Sequence, residues 1–202
     1  KSFVIDKLQS AQDFKSIEPK DVVLYGFGRI GRLVARELMS KTGKGNQLRL
    51  RAIVVRGKPS IENLEKRASL LRTDSVHGIF NGTVKVDYSN LKLIINGTTV
   101  HVIYANMPEE IDYTEYGINE ALVIDNTGAF RTKEQLERHL QANGAAKVLL
   151  TAPGKEVANI VHGVNHLEYS PDDTDIFSAA SCTTNAITPI LKAIEETFGI
   201  EK

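Results

Sequence analysis

The 202-residue sequence is poor in several things that would otherwise decide its class. It has one cysteine, Cys182, so no internal disulfide can form and no cysteine pair is available to a zinc site; this usage fits a reducing compartment and implies a cytoplasmic location. Its longest apolar runs, such as Ala52-Ile53-Val54-Val55, fall far short of the roughly 20 residues that cross a bilayer, so no membrane partner is expected. It has no surplus of charge. The 25 basic and 25 acidic side chains sum to zero, too balanced for a general nucleic-acid binder, and no zinc-finger or RNA-recognition signature accompanies them. No repeat of fixed period and no low-complexity tract occurs. What remains is a chain with 42% apolar residues, long enough for one full domain or one plus part of another. Its first residue is Lys1 rather than Met, which suggests a piece of something longer.

The apolar pattern alternates between two periods. Residues 1–20 carry only a weak helical stripe through Phe3, Leu8 and Phe14, and read as a leader packed on the domain or as a linker. After it, Val22 to Tyr25 reads as a buried strand, and Ile30, Leu33, Val34 and Leu38 fall at helical spacing. The plan then repeats: strand over Leu48–Val55, helix over Ile61–Leu71, and short strands at Val84–Val86, Leu93–Ile95 and Val100–Ile103 with an Asn96-Gly97 hairpin turn between the last two. Further strands are predicted at Ala121–Ile124, Val148–Thr151 and Thr174–Phe177, with a helix at Lys133–Ala142 and another through Ile187, Leu191 and Ile194. Apolar strands alternating with amphipathic helices specify an α/β fold, a doubly wound parallel sheet covered on both faces.

Charge, though balanced overall, is unevenly placed. Between Arg29 and Arg72 there are twelve Lys or Arg against three acids, whereas Leu93 to Phe130 holds six acids and no Lys or Arg. The first stretch could hold an anion, although single surface charges of this kind are ordinary.

Gly26-Phe27-Gly28-Arg29-Ile30-Gly31 matches G-x-G-x-x-G directly after a predicted strand and at the start of a predicted helix, the setting in which that pattern binds a dinucleotide. The first glycine permits the tight turn, the second lets a pyrophosphate approach the backbone, the third lets helix and strand pack, and the helix's free N–H groups face the anion. A kinase glycine loop would link two strands and bring H-R-D and D-F-G triplets, which are absent. Such folds usually end their second strand on an acid that holds the ribose hydroxyls, but here the strand ends Val54-Val55-Arg56-Gly57-Lys58. An arginine there can pair with the extra phosphate of NADP, so the sequence leans toward NADP or dual use of NAD and NADP. The other reading is a solvated Arg56 and a shifted register.

Near the end, Ser178 to Asn185 (SAASCTTN) precedes a helical stripe and places Cys182 at a helix start, where the dipole and free N–H groups favour a thiolate. That makes Cys182 a candidate nucleophile. Pro189, inside the same predicted helix, should kink it or sit in its opening turn. His162 and His166 are four apart, but Gly163-Val164-Asn165 between them reads as strand and turn, and no metal site is expected.

Together these residues resemble a known family. Gly26-Phe-Gly-Arg-Ile-Gly-Arg32, Asp74-Ser-Val-His-Gly78, Asn126-Thr-Gly128, Thr151-Ala-Pro153, Gly163-Val-Asn165 and Ala180-Ser-Cys-Thr-Thr-Asn185 occur in the order and approximate spacing of phosphorylating glyceraldehyde-3-phosphate dehydrogenases, over about Asp21 to Lys202. The resemblance implies an N-terminal extension at 1–20, a Rossmann-type NAD(P)-binding domain at 21–181, and at 182–202 the first helix of a catalytic domain that the chain does not complete. It implies that Cys182 is the nucleophile and that Ser181 and Thr183 hold inorganic or substrate phosphate. Phe27, Gly28, Arg29, Ile30 and Gly31 would cradle the pyrophosphate, Arg56 and Asn106 would lie on the adenosine side, and Thr127, Gly128, Thr151 and Ala152 would wall the nicotinamide side. The implied chemistry is thiolate attack on an aldehyde phosphate, hydride transfer to the nicotinamide of NAD or NADP, and phosphate attack on the thioester. The general base would be a histidine after the cysteine, and none of the five histidines here follows Cys182. The 202 residues alone are therefore expected to bind cofactor and turn over little aldehyde, while the full-length enzyme would be a homotetramer.

Departures from the family pattern are Tyr25 and Ala179 in place of asparagines, Arg56-Gly57 in place of Asn-Asp, and Asn106-Met107 in place of Arg-Asp. They suggest a divergent branch and put cofactor preference in question. The competing functional readings are an erythrose 4-phosphate or semialdehyde dehydrogenase of similar plan, and a dinucleotide-binding module without catalysis.

Overall fold

The computed structural model describes residues 19–41, 48–170 and 172–201. The predicted stripe through Phe3, Leu8 and Phe14 lies outside the described residues.

The first strand, β1 (Lys20–Tyr25), is buried from Asp21 onward, with Val22, Val23 and Leu24 fully inaccessible. Burial on both faces is what an uninterrupted apolar run demands. Helix α1 (Arg29–Ser40) follows through the glycine turn and buries Gly31, Ala35 and Met39, one residue per turn of a single face. Strand β2 (Leu48–Val55) and helix α2 (Ile61–Arg72) repeat the unit. The Ser60 side chain accepts from the Asn63 N–H at 3.1 Å to cap α2, which buries Leu64, Ala68 and Leu71. A two-strand ladder, β3 (Thr73–Asp74) with β4 (Gly78–Ile79), precedes β5 (Val84–Asp87), β6 (Lys92–Ile95) and β7 (Thr98–Tyr104). Asn96 and Gly97 both adopt positive φ, 48° and 82°, so the predicted turn between β6 and β7 is of the I′ kind that matches the twist of a hairpin.

Past two 3₁₀ turns come β8 (Ala121–Asp125), α3 (Lys133–Leu140), β9 (Ala145–Leu150), β10 (Ala158–Asn159), β11 (Ile176–Ser178) and α4 (Cys182–Phe198). Thr132 and Gln135 form a reciprocal capping box at the start of α3. The strand predicted at Thr174–Phe177 lies at Ile176–Ser178 instead; Thr174 turns back to bond Ile176 through its hydroxyl. Pro189 is the eighth residue of α4, beyond its opening turn, and the helix continues to Phe198.

Nine of the eleven strands among the described residues form one sheet, in the order β10-β11-β9-β8-β1-β2-β7-β6-β5, parallel from β10 to β7 and antiparallel at the β7-β6-β5 edge. This is the Rossmann-type doubly wound sheet. Period-2 alternation divides the core: Val22, Leu24 and Ile124 face α1 and α2, while Val23, Tyr25 and Val123 face α3 and the 3₁₀ segment. The chain runs outward from β1 to β2 and β7 and then returns from β7 to set β8 on the other side of β1, so the strand order reverses there and a crevice opens at the carboxyl ends of β1 and β8. Helix α4 buries none of its residues and leaves Ile187, Ile190, Leu191, Ile194 and Phe198 exposed. Among the described residues no helix is long and apolar enough to cross a membrane.

Candidate cofactor and catalytic site

The crevice at the β1/β8 switch point has a volume of about 390 Å³ and is lined by Tyr25, Gly26, Phe27, Gly28, Val54, Val55, Arg56, Arg67, Ala105, Asn126, Thr127 and Ala129. Each glycine of the turn has its own reason. Gly26 has φ +91°, and a Cβ there would lie 2.7 Å from the Thr127 methyl; a Cβ on Gly31 would lie 2.3 Å from the Gly26 carbonyl oxygen. These two positions let the turn and helix close on each other. Gly28 has nothing within 4 Å of a Cβ, so its open side faces the crevice. Gly28 is also the N-cap of α1 without a side-chain cap, and the first turn has no acid, so the leading N–H groups are left for an anion. Residues and space fit a dinucleotide's pyrophosphate.

The Asp74-to-Gly78 segment anchors this turn. The Asp74 side chain, 3% exposed, accepts from the Val76 and His77 N–H groups at 3.0 Å and pairs with Arg29 at 3.3 Å and Arg32 at 3.5 Å. The two backbone donors, then the His77 ring and the Arg29 charge, hold its carboxyl well below the usual carboxylate range. Arg29, predicted in the cradle, is thus engaged by Asp74 and by Ser75 at 2.9 Å.

On the opposite side, Asp125 ends β8 fully buried and accepts from the Thr127 N–H and hydroxyl, both at 2.7 Å, with His139 Nε2 2.9 Å away. This carboxylate folds the Asn126–Gly128 loop over the crevice floor. The Thr151 hydroxyl donates to the Asp125 carbonyl at 3.0 Å, tying the end of β9 to the same loop. Tyr25 packs edge-on against His139 at 4.6 Å, its hydroxyl is buried without a partner among the described residues, and burial pushes its pKa up to about 12.

Cys182 is the exposed first residue of α4. Ser181 caps that helix, accepting from the Thr184 N–H at 2.9 Å with its oxygen 2.7 Å from the Thr184 hydroxyl, while Thr183 remains exposed. Ala180 takes positive φ, 57°, to turn the chain from β11 into the helix, and Asn185 Nδ2 donates to the Ala179 carbonyl across the turn at 2.7 Å. Because β11, β9, β8, β1 and β2 are parallel, their carboxyl ends share one sheet edge. Three strand spacings of about 4.8 Å, roughly 14 Å, separate β11 from β1 along it.

Of the predicted residues, Phe27, Gly28, Arg56 and Thr127 line the crevice. Arg29, Ile30 and Gly31 form the helix start beneath it; Gly128, Thr151 and Ala152 lie at neighbouring strand ends; Asn106 is exposed next to the lining residue Ala105. Sequence reasoning missed Arg67, Asp125 and His139. The spacing of Arg67, three after Leu64 and one before Ala68, places it at the border of the buried stripe of α2 and could have drawn attention to it. His162 and His166 stack at 4.3 Å in a turn, where His166 Nδ1 accepts from the Gly163 N–H.

Comparison with known proteins agrees with this geometry. The profile described as glyceraldehyde 3-phosphate dehydrogenase, NAD binding domain, matches residues 20–133. A glyceraldehyde-3-phosphate dehydrogenase-like protein of Pseudomonas aeruginosa is 59% identical over 184 residues, covering 91% of this chain and 40% of that protein. The glyceraldehyde-3-phosphate dehydrogenases of Ogataea parapolymorpha and Thermotoga maritima are each 41% identical, over 182 and 180 residues, covering 90% and 89% of this chain and 50% of theirs. The chain thus spans about half the length of the curated relatives it matches.

Proposed function

Since the chain belongs to the glyceraldehyde 3-phosphate dehydrogenase family and carries its NAD binding domain, we propose that it serves the oxidative phosphorylation of glyceraldehyde 3-phosphate to 1,3-bisphosphoglycerate, with NADP preferred to NAD and Cys182 as nucleophile. One observation carries this reading: Arg56, the glycine turn, the Asn126–Gly128 loop, Thr151 and the turn into Cys182 follow one another along a single sheet edge.

The Gly28 cradle and the N–H groups opening α1 hold the pyrophosphate, and Thr127, Gly128, Thr151 and Ala152 wall the nicotinamide side. A nicotinamide dinucleotide held there supplies the hydride acceptor. Cys182 Sγ, as thiolate, forms a bond to the aldehyde carbon. The acyl group stays on Sγ as a thioester until inorganic phosphate attacks its carbonyl carbon and the C–S bond breaks, returning the thiolate. Thr183 offers a free hydroxyl to a phosphate group; Ser181, committed to the helix cap, has less to give. In this reading 21–181 form the cofactor domain and 182–202 open the catalytic domain of a cytoplasmic homotetramer.

The test is Cys182→Ser in the active enzyme. Aldehyde-dependent reduction should fall by at least a thousandfold while the dinucleotide dissociation constant changes less than twofold. Retained turnover refutes the nucleophile. The 202-residue chain alone should bind dinucleotide without reducing it, and efficient turnover by it overturns the assignment of the missing base to a segment outside it. Faster turnover of erythrose 4-phosphate would move the substrate assignment.

A further inference from the structure

The basic stretch between Arg29 and Arg72 resolves, once folded, into arginines with acceptors and arginines without. Six have them: Arg29 and Arg32 pair with Asp74, Arg36 donates to the Leu71 and Gly78 carbonyls, Arg49 and Arg51 share Asp21, and Arg72 holds Glu65 and the Val84 carbonyl. Arg56 and Arg67 have no ion pair or hydrogen bond among the described residues, and both line the crevice, which has no carboxylate in its wall.

Arg56 is exposed, so water solvates it. Arg67 is different. Its Nε is buried without a partner, and the Tyr104 hydroxyl within its electrostatic reach is buried without one as well. Burial, with the nearby Arg32 charge, makes the protonated guanidinium harder to hold. A half-buried cation with its Nε desolvated and no counter-charge is costly, and nothing in the packing of α2 needs it, because Leu64, Ala68 and Leu71 supply the buried stripe. The cost is offset when an anion enters the crevice. The anion must sit beside the carboxyl end of β2, where a dinucleotide's adenosine ribose lies.

Resting on the NADP preference proposed above, we infer that Arg67 and Arg56 together form a two-arginine subsite for the 2′-phosphate of NADP, with Arg67, on α2, as the second arm. The planar forks of two guanidiniums suit the three oxygens of a phosphomonoester, whereas the ribose hydroxyl of NAD offers them no charge.

Isothermal titration of wild type, Arg67→Gln, Arg56→Gln and Arg67→Lys with NADP, NAD, adenosine 2′-monophosphate and adenosine 5′-monophosphate tests this, with a thermal melt of each variant to confirm folding. Arg67→Gln should weaken NADP and the 2′-monophosphate at least tenfold and change NAD and the 5′-monophosphate less than twofold; Arg67→Lys, keeping the charge but losing the fork, should fall between. Equal weakening of NADP and NAD by Arg67→Gln makes Arg67 an adenine-stacking residue and overturns the subsite. Selective weakening by Arg56→Gln alone removes Arg67 from it and leaves the NADP preference standing. A wild type that binds NADP no tighter than NAD refutes the preference and the subsite together.

Discussion

The glycine turn allows folding and cofactor binding to be separated by two single-methyl substitutions three residues apart. In Gly31→Ala the new Cβ would begin 2.3 Å from the Gly26 carbonyl oxygen, where real contacts do not fall below 3.0 Å, so helix and turn must part by about 0.7 Å. The oxygen is backbone and the new methyl carbon is fixed to the helix, and Gly26 is itself held by its N–H donating to the Val54 carbonyl at 2.9 Å. Overpacking of this kind costs about 1–3 kcal/mol, and the better helix propensity of alanine returns at most about 1 kcal/mol. A net loss of about 1–2 kcal/mol is expected in urea unfolding. Gly28→Ala meets nothing within 4 Å and inherits a φ of −74° that alanine adopts freely. Alanine is a poorer N-cap than glycine, so stability should fall by no more than about 1 kcal/mol. Its methyl group nevertheless occupies the side from which the pyrophosphate approaches, and fluorescence titration should show dinucleotide affinity reduced at least tenfold, about 1.4 kcal/mol. A folded Gly28→Ala protein that binds dinucleotide like wild type would refute the cradle.

Two further expectations concern pH and a buried hydroxyl. The folded-state pKa of Asp74 is lowered, so its contribution is present above the unfolded value of about 3.9 and is lost as pH falls below that. Asp74→Asn should flatten the decline of stability under acid, measured by urea unfolding from pH 5 to pH 2.5; an unchanged slope would show that Asp74 has no such role. Burial of Tyr25, with its pKa pushed up to about 12 against about 10 unfolded, penalises the ionised form, so stability falls as pH rises from about 10 toward 12. Tyr25→Phe should remove that part of the alkaline slope and, by deleting a buried hydroxyl without a partner, raise stability at pH 7 by about 1 kcal/mol; a loss of stability there would mean that the hydroxyl is satisfied after all.

The fold could be read from the sequence wherever burial writes a period. A parallel strand covered on both faces must be apolar throughout, so β1 stands out as Val22–Tyr25 and β2 by its run Ala52–Val55, while Arg49 and Arg51 mark the less covered start of β2. The Asn96-Gly97 turn was legible because two successive positive φ angles admit few residue types. Two-residue strands such as β3, β4 and β10 could not be foreseen, because two residues carry no periodicity and their pairing is fixed by partners elsewhere in the chain.

At the site the same division separates backbone from side-chain demands. Gly26 and Gly31 were readable because steric exclusion leaves no other residue for their positions, whereas Arg67 sits in a charged stretch, Ile61-Glu-Asn-Leu-Glu-Lys-Arg67, that looks solvated. Its neighbours Glu65 and Lys66 do lie outside the core; only the facing of α2 turns Arg67 alone toward the crevice. Asp125 and His139, fourteen residues apart, meet because α3 returns across the sheet, and their pairing places Thr127. A loop that must be held open for a cofactor cannot rely on apolar packing, since apolar packing would fill it. The buried carboxylate does the holding from beneath, with its charge spent on the Thr127 N–H and hydroxyl and on the His139 ring, and the crevice above stays free of negative charge where a phosphate-bearing ligand enters.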